Sequence, residues 1–345
     1  MRGAPKKSSA QGARPAAAKP EPMDEAAVSA TRDRLTLQDL EASAARNRQW
    51  GRWGPDDEFG TLNHITPEAV AAAARLVRRG QVFALALNFD ANGPQRGPVR
   101  FNPIHTMSFT GSDACLGHTD WLGLRFADDI VTMPLQCGTQ WDGLAHVFYQ
   151  DRMWNGYDAR LVTASGAARN GIEKVRDRLV GRGVLLDVPR FLSLPWLPDG
   201  YGISAEDLQH CAAAQKVEIR RGDLLLVRTG QMERCLGQHD WGIYAGGDAP
   251  GLKFSTADWV RRAELAAVAT DTWGVEVRPN EIPGTFQPWH TVAIPMIGLT
   301  LGERFYLKDL AEECARDGVY EFLLCAAPLP FTGAVGSPAN PIAIK

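Results

Sequence analysis

Two runs constrain the fold of this chain more than any others: Gly183-Val184-Leu185-Leu186-Asp187-Val188 and Leu224-Leu225-Leu226-Val227-Arg228. Successive side chains of an extended backbone point to opposite sides. A run that is apolar at nearly every position therefore makes a buried strand, covered on both faces by other layers. Between the two runs, Ser204-Ala205-Glu206-Asp207-Leu208 opens a helix. Its serine hydroxyl can accept a free amide proton of the first turn, and its acids sit at the positive end. A helix over residues 255–262 precedes another strand at 265–270, and 320–325 supplies a further one. Short buried strands alternating with a few helices predict a mixed α/β fold, and 345 residues suffice for a large core.

Upstream, residues 36–48 have helical apolar spacing, with Thr36 as N-cap and Asp39 and Glu41 in the first turns. Thr66-Pro67-Glu68 starts a second helix over 66–79, its proline at the first helical position, and Gly80 stops it. Residues 82–89 read as a strand, and 50–63 as a turn-rich aromatic segment that packs as a lid. Residues 1–30 are rich in Ala, Pro, Lys, Ser and Gly and have almost nothing to bury. They are expected to form a disordered tail, leaving one domain over 31–345. A net charge of −3 argues against nucleic acid as a partner, which requires a basic patch or stripe. No apolar run is long enough to span a membrane, and Arg2, Lys6 and Lys7 are not followed by the apolar stretch of a secretory signal. The six cysteines are scattered without a CxxC pair. Neither a disulfide framework nor a zinc knuckle is expected, and a cytoplasmic location with reduced thiols fits best.

Chemistry concentrates in Gln136-Cys137-Gly138-Thr139-Gln140-Trp141-Asp142-Gly143-Leu144-Ala145-His146. Two amides, a carboxylate and an imidazole stand there at spacings of four, two and four. The preceding Ile130-Val131-Thr132-Met133-Pro134-Leu135 reads as a short strand that ends in this stretch. Alternation would send Gln136, Gly138, Gln140 and Asp142 to one side, aiming three polar side chains into one cleft. Glycines on both sides let backbone approach a ligand. On residue types alone, the same group reads equally as a buried hydrogen-bond network beside a tight turn. Cys137 reads as a small side chain packed under the loop rather than a nucleophile. His105 and His118 precede the stretch and read first as surface or packing histidines; of the two, His118, in a polar loop beside Trp121, is the better candidate for substrate contact. Asp271, at the end of the 265–270 strand, is either a site residue or the cap of the following turn. Phe148, Tyr149, Trp154 and Tyr157 either wall an apolar pocket or pack their loop down.

The stretch resembles the signature of the cyclase family, metal-dependent hydrolases that include bacterial kynurenine formamidase and isatin hydrolase. The family pattern is H-x-G-T-H-x-D-x-P-x-H. Gly138, Thr139, Asp142 and His146 match it, whereas Gln136 and Gln140 replace metal-binding histidines and Leu144 replaces the proline. The 50–63 segment, with Trp53-Gly54-Pro55, Asp57, Gly60-Thr61 and Asn63, resembles the W-G-P-x-D-x-x-G-T-x-N opening of a glutamine-containing branch. The order of the 183–187 strand, a helix, Gly222-Asp223, Arg228-Thr229-Gly230 and the closing Gly336-Ser337-Pro338 is similar to the family's as well. The resemblance implies a single domain of the swivelling β/β/α type and a homodimer or homotetramer. It implies one divalent metal ion held by Gln136, Gln140 and Asp142 together with a second-half histidine and a glutamate about a dozen residues on, the relation of His290 to Glu303.

Amide oxygen is a harder, weaker donor than imidazole, so the two glutamines shift the expected metal from zinc toward manganese or magnesium. Zinc with the glutamines as distant partners, or no metal and amides that bind substrate, are the alternatives. His146 is the candidate general acid/base, because an imidazole can take a proton and return it near neutral pH. Trp141, Trp273 and Trp289, with His118 and Asp271, are candidates to bind a small, flat, partly apolar substrate. Arg160, Arg228 and Arg278 either meet a substrate carboxylate or form ion pairs. The expected reaction is hydrolysis of an amide, cyclic amide or lactone. A ring-forming cyclase or lyase, or a non-catalytic small-molecule binding protein, would use the same residues. The joint presence of Asp142, His146, His290 and Glu303 favours an enzyme.

Overall fold

The computed structural model describes residues 23–345. A nine-stranded sheet organises them. In chain order the strands are β1 (Val82–Ala84), β2 (Gln140–Asp142), β3 (Val180–Asp187), β4 (Leu224–Arg228), β5 (Ala267–Thr270), β6 (Thr300–Glu303), β7 (Glu321–Cys325), β8 (Gly336–Pro338) and β9 (Ile342–Ile344). Across the sheet the order is β1-β9-β7-β3-β4-β5-β6-β2-β8. The strands β3, β4, β5 and β6 pair in parallel, and the remaining pairs are antiparallel. Parallel neighbours need a crossover between them. Helix Ala205–Ala214 bridges β3 to β4, Gln231–Gln238 and Thr256–Arg262 bridge β4 to β5, and Pro288–Val292 lies between β5 and β6. The result is a mixed α/β domain.

The expected two-faced burial is present in the central strands. Val184, Leu186, Leu225, Val227 and Val268 join one core with Leu208, Val260 and Trp289 of the crossover helices. Their neighbours Leu185, Leu224, Leu226, Ala267 and Ala269 join a second core with Trp141, Leu310 and Phe322. Two of the expected helix starts carry reciprocal caps. Thr36 with Asp39 closes helix Leu37–Asn47, and Ser204 with Asp207 closes Ala205–Ala214.

Four elements differ from the sequence expectation. The second helix, Pro67–Ala74, ends before Arg79. The amides of Arg79 and Gln81 instead bond the Lys345 carbonyl at 3.2 and 3.1 Å, which pulls the chain onto the sheet edge. Strand β1 stops at Ala84 because the Leu87 amide bonds the Thr139 hydroxyl (2.9 Å) rather than a neighbouring strand. The strand before the glutamine stretch is Asp128–Thr132, and it pairs with Ile104–Phe109 as a separate, largely exposed ribbon. Pro134, with no amide proton, follows its end. Of the expected tail, residues 1–22 lie outside the described residues. Its last part forms helix Glu25–Ala30, capped by Asp24 and anchored by buried Val28.

The 50–63 segment is packed, as a lid would be. The Asp57 carboxylate accepts from the Gly60 amide (2.9 Å), Asn63 Nδ2 (2.7 Å) and Trp154 Nε1 (3.0 Å). Trp154 is therefore a fixed core residue. On β6, a Cβ at Gly302 would meet the Ala269 Cβ at 2.5 Å and the Phe305 and Trp141 rings at 2.8 Å. Gly302→Ala is expected to cost about 1–3 kcal/mol of unfolding free energy through overpacking. Urea denaturation measures it, and an unchanged midpoint would contradict this account of the contact.

Candidate metal centre

Strand register builds the centre. On antiparallel β6 and β2, Glu303 lies opposite Gln140 and Leu301 opposite Asp142. Gln140 and Asp142, two residues apart, thus share a face with Glu303. The Gln140 Nε2 donates to Asp142 Oδ1 (2.8 Å) and Glu303 Oε2 (3.1 Å). The intervening Trp141 points the other way. Its indole N–H donates to the Ala326 carbonyl (2.6 Å) and its ring packs edge-on to Phe305, so it supports the centre from within the core. Alternation therefore holds for Gln140 and Asp142. Gln136 precedes the strand in a turn and is half-buried, its side-chain Nε2 lying over the bare Cα of Gly336 beside Asp142 Oδ1.

His290 enters from helix Pro288–Val292. Its Nδ1 lies 2.7 Å from Glu276 Oε1 and its Nε2 3.3 Å from Glu303 Oε1. Glu276 also accepts from the backbone amides of Trp289 (2.9 Å) and His290 (3.0 Å). One buried carboxylate thus fixes both the first turn of the helix and the orientation of the imidazole. Asp142, His290 and Glu303 each bring a donor atom within 4.8 Å of the others.

Arg304, fully buried, holds the surroundings. Its guanidinium donates to the carbonyls of Gly138 (2.8 Å), Trp273 (3.0 Å) and Gln136 (3.2 Å) and lies 2.9 Å from Glu303 Oε2. Burial would raise the Glu303 carboxyl, but Arg304 and His290 outweigh it and hold the group below its usual range. Burial raises Asp142, with His146 opposing and Glu303 adding to the shift. Burial also opposes charge on His290, yet its bonds to Glu276 and Glu303 prevail and raise its pKa to about 10. His146 sits at the mouth, its side chain 20% exposed, with Nε2 3.6 Å from Asp142 Oδ1 and 3.5 Å from Arg100 Nη2.

The other expected site residues are placed elsewhere. Asp271 accepts from the Thr229 amide (2.8 Å), the Thr229 hydroxyl (2.7 Å) and the Gly230 amide (2.6 Å), which makes it the cap of the turn after β4. Burial raises its pKa to about 6 against those bonds. Trp289 is buried and donates to the Thr256 hydroxyl (3.0 Å). His118 is exposed, with Asp113 3.6 Å away. Arg160 pairs with Asp158, and Arg228 with Asp187 and Glu233. Burial pushes the Cys137 thiol up, away from a thiolate nucleophile. Sequence reasoning missed Glu276, Arg304 and Arg100. Arg304 had one available signal, its place directly after Glu303.

These residues fit a divalent ion. Two carboxylates and an imidazole converge, and Gln140 Oε1 is a buried oxygen with no hydrogen-bond partner. The Glu276 carboxylate behind His290 is the support that metal-bound imidazoles usually have.

Among known proteins, the Cyclase family model matches residues 85–277. A crystal structure of a novel cyclase is 41% identical with a TM-score of 0.79, covering 86% of this chain and 99% of its own. An isatin hydrolase bound to the product analogue thioisatinate is 16% identical with a TM-score of 0.57, covering 81% of this chain and 98% of its own. A predicted metal-dependent hydrolase from Bacillus stearothermophilus is 18% identical with a TM-score of 0.51, covering 77% and 98%. The last two share the fold. No curated protein matches the chain.

Two substitutions test the arrangement. Glu276→Gln should weaken manganese binding about 10–100-fold in calorimetry while leaving the circular dichroism spectrum unchanged. Arg304→Met strands buried Glu303 and three carbonyls, and should cost about 3–5 kcal/mol in urea denaturation.

Proposed function

Because the chain belongs to the cyclase family, we propose that it is a metal-dependent hydrolase that opens an amide, cyclic amide or lactone of a small, flat, partly apolar substrate. The observation that carries this reading is the buried convergence of Asp142, His290 and Glu303 with His146 at the mouth. Asp142, His290 and Glu303 would hold the ion, with the free Gln140 oxygen and the half-buried Gln136 amide as neutral donors. One imidazole among oxygens favours manganese or magnesium over zinc. When bound, such an ion lowers the pKa of water and polarises a carbonyl.

The chain's own residues supply the rest. Glu276 keeps His290 oriented through Nδ1 and leaves Nε2 facing the cluster. Arg304 holds Glu303 ionised and pins the 136–138 backbone against it. His146 is partly open to solvent, so it can take a proton from water beside Asp142 and return it to the leaving group. Trp273 places a partly exposed aromatic ring beside Arg100 and Arg304 at the same mouth.

The test begins with metal content by mass spectrometry. Wild-type protein should carry near-stoichiometric divalent ion, and Asp142→Ala should lose it. With that ion present, a panel of lactones and formamides is screened. His146→Ala should keep its metal but lose about 10²–10⁴-fold in kcat on any compound turned over. Wild-type protein that takes up neither manganese nor zinc sinks the metal-dependent reading. Near-normal turnover by His146→Ala removes His146 from its role.

A further inference from the structure

Arg100 is half-buried and, among the described residues, has no carboxylate in direct contact within 4.0 Å. Arg96, four residues earlier, pairs with Asp240 at 2.9 Å. Among the described residues, the one side-chain group within hydrogen-bond distance of the Arg100 guanidinium is His146 Nε2 at 3.5 Å, the outer limit of a hydrogen bond. Its Cζ lies over the Trp273 ring, 5.3 Å from the centroid. A cation–π contact of this kind uses none of the guanidinium N–H donors in a hydrogen bond.

Arg100 helps to hold Asp142 and Glu303 ionised from a distance, but neither acid forms an ion pair with it within 4.0 Å, and both have nearer partners. Asp142 is engaged by Gln140 and faces His146, and Glu303 is engaged by Arg304, His290 and Gln140. With a divalent ion bound and His290 neutral, the three carboxylates of Asp142, Glu303 and Glu276 are balanced by the ion and Arg304. The Arg100 charge is left over, at the mouth, beside the proposed acid/base and an aromatic face. A planar fork of donors there matches a carboxylate with two parallel hydrogen bonds.

We propose that Arg100 recognises a second, non-reacting carboxylate of the substrate, placed next to the acyl group that the centre attacks. This rests on the hydrolase reading above and narrows its substrate class to anionic acyl compounds. Arg100 is a specificity residue in this account: it selects the substrate and orients it against His146.

Calorimetry on the full chain tests it with two probes that differ by one carboxylate, phthalamate and benzamide, on manganese-loaded and metal-free protein. Wild-type protein should bind phthalamate at least about tenfold more tightly in both forms, as expected for a hydrogen-bonded charge pair. Arg100→Gln should abolish that preference and leave benzamide unchanged. Arg100→Lys should retain part of the preference, and Arg96→Gln all of it. Equal binding of the probes by wild type, absence of binding included, overturns the proposal. So does a preference found only with manganese and insensitive to Arg100→Gln, because the carboxylate is then on the ion. Equal weakening of both probes by Arg100→Gln also overturns it and assigns Arg100 a structural role. Turnover is read separately, so a charge preference without hydrolysis of any compound would fault the hydrolase reading and leave the carboxylate site standing.

Discussion

A guanidinium taken out of water costs several kcal/mol unless each of its nitrogens finds an acceptor. Arg304 meets that condition by gathering the site around itself. All three of its nitrogens are engaged, by the carbonyls of Gln136, Gly138 and Trp273 and the carboxylate of Glu303. Those partners come from the turn before β2, the turn after β5 and the end of β6. Its backbone is drawn in as well: φ is +59°, and its carbonyl accepts from the Thr139 hydroxyl at 2.6 Å. The same hydroxyl accepts from the Leu87 amide, which ties the segment after β1 to the group. The glycine and threonine of the motif therefore act chiefly through backbone and hydroxyl bonds that position the acids beside them.

Around that cation the three candidate ligands are held in different electrostatic states by different neighbours. Glu303 stays ionised beside Arg304, Asp142 is destabilised by burial, and His290 is held between two carboxylates. Such a set is poised for an added cation, which would relieve Asp142 and take the place of the proton on His290. Stiff supports surround the set: a core tryptophan behind β2 and a carboxylate behind the imidazole. His146 and Arg100, both partly exposed, stand at the mouth of that set.

The parts of the fold read correctly from sequence are those governed by neighbours in the chain. The caps at Thr36 and Ser204 satisfy amides three residues away, and the runs at 183–187 and 224–228 declare their burial residue by residue. The family resemblance joined Asp142 to His290 and Glu303, which no local pattern connects. What stayed hidden depends on register across the sheet. Trp141 and Trp289 looked available to a ligand, yet strand alternation and helix docking turn them into the core. Glu276 reads as an ordinary acid until helix Pro288–Val292 lays its first turn against it. The ribbon strand at Asp128–Thr132 drew its expected end too late, because its partner at Ile104–Phe109 has no alternation strong enough to announce it.

Strand β2 spans three residues and is flanked by β6 and β8, so its neighbours are fixed only after most of the chain has been laid down. The bond between Gln140 and Glu303 closes a loop of 163 residues. Contacts of such separation form late, since closing the loop costs entropy before any contact offsets it. A half-folded chain therefore presents scattered acids and amides with no common focus. An ion that selects the closed arrangement would stabilise the finished fold by mass action, making cofactor occupancy a readout of completed folding.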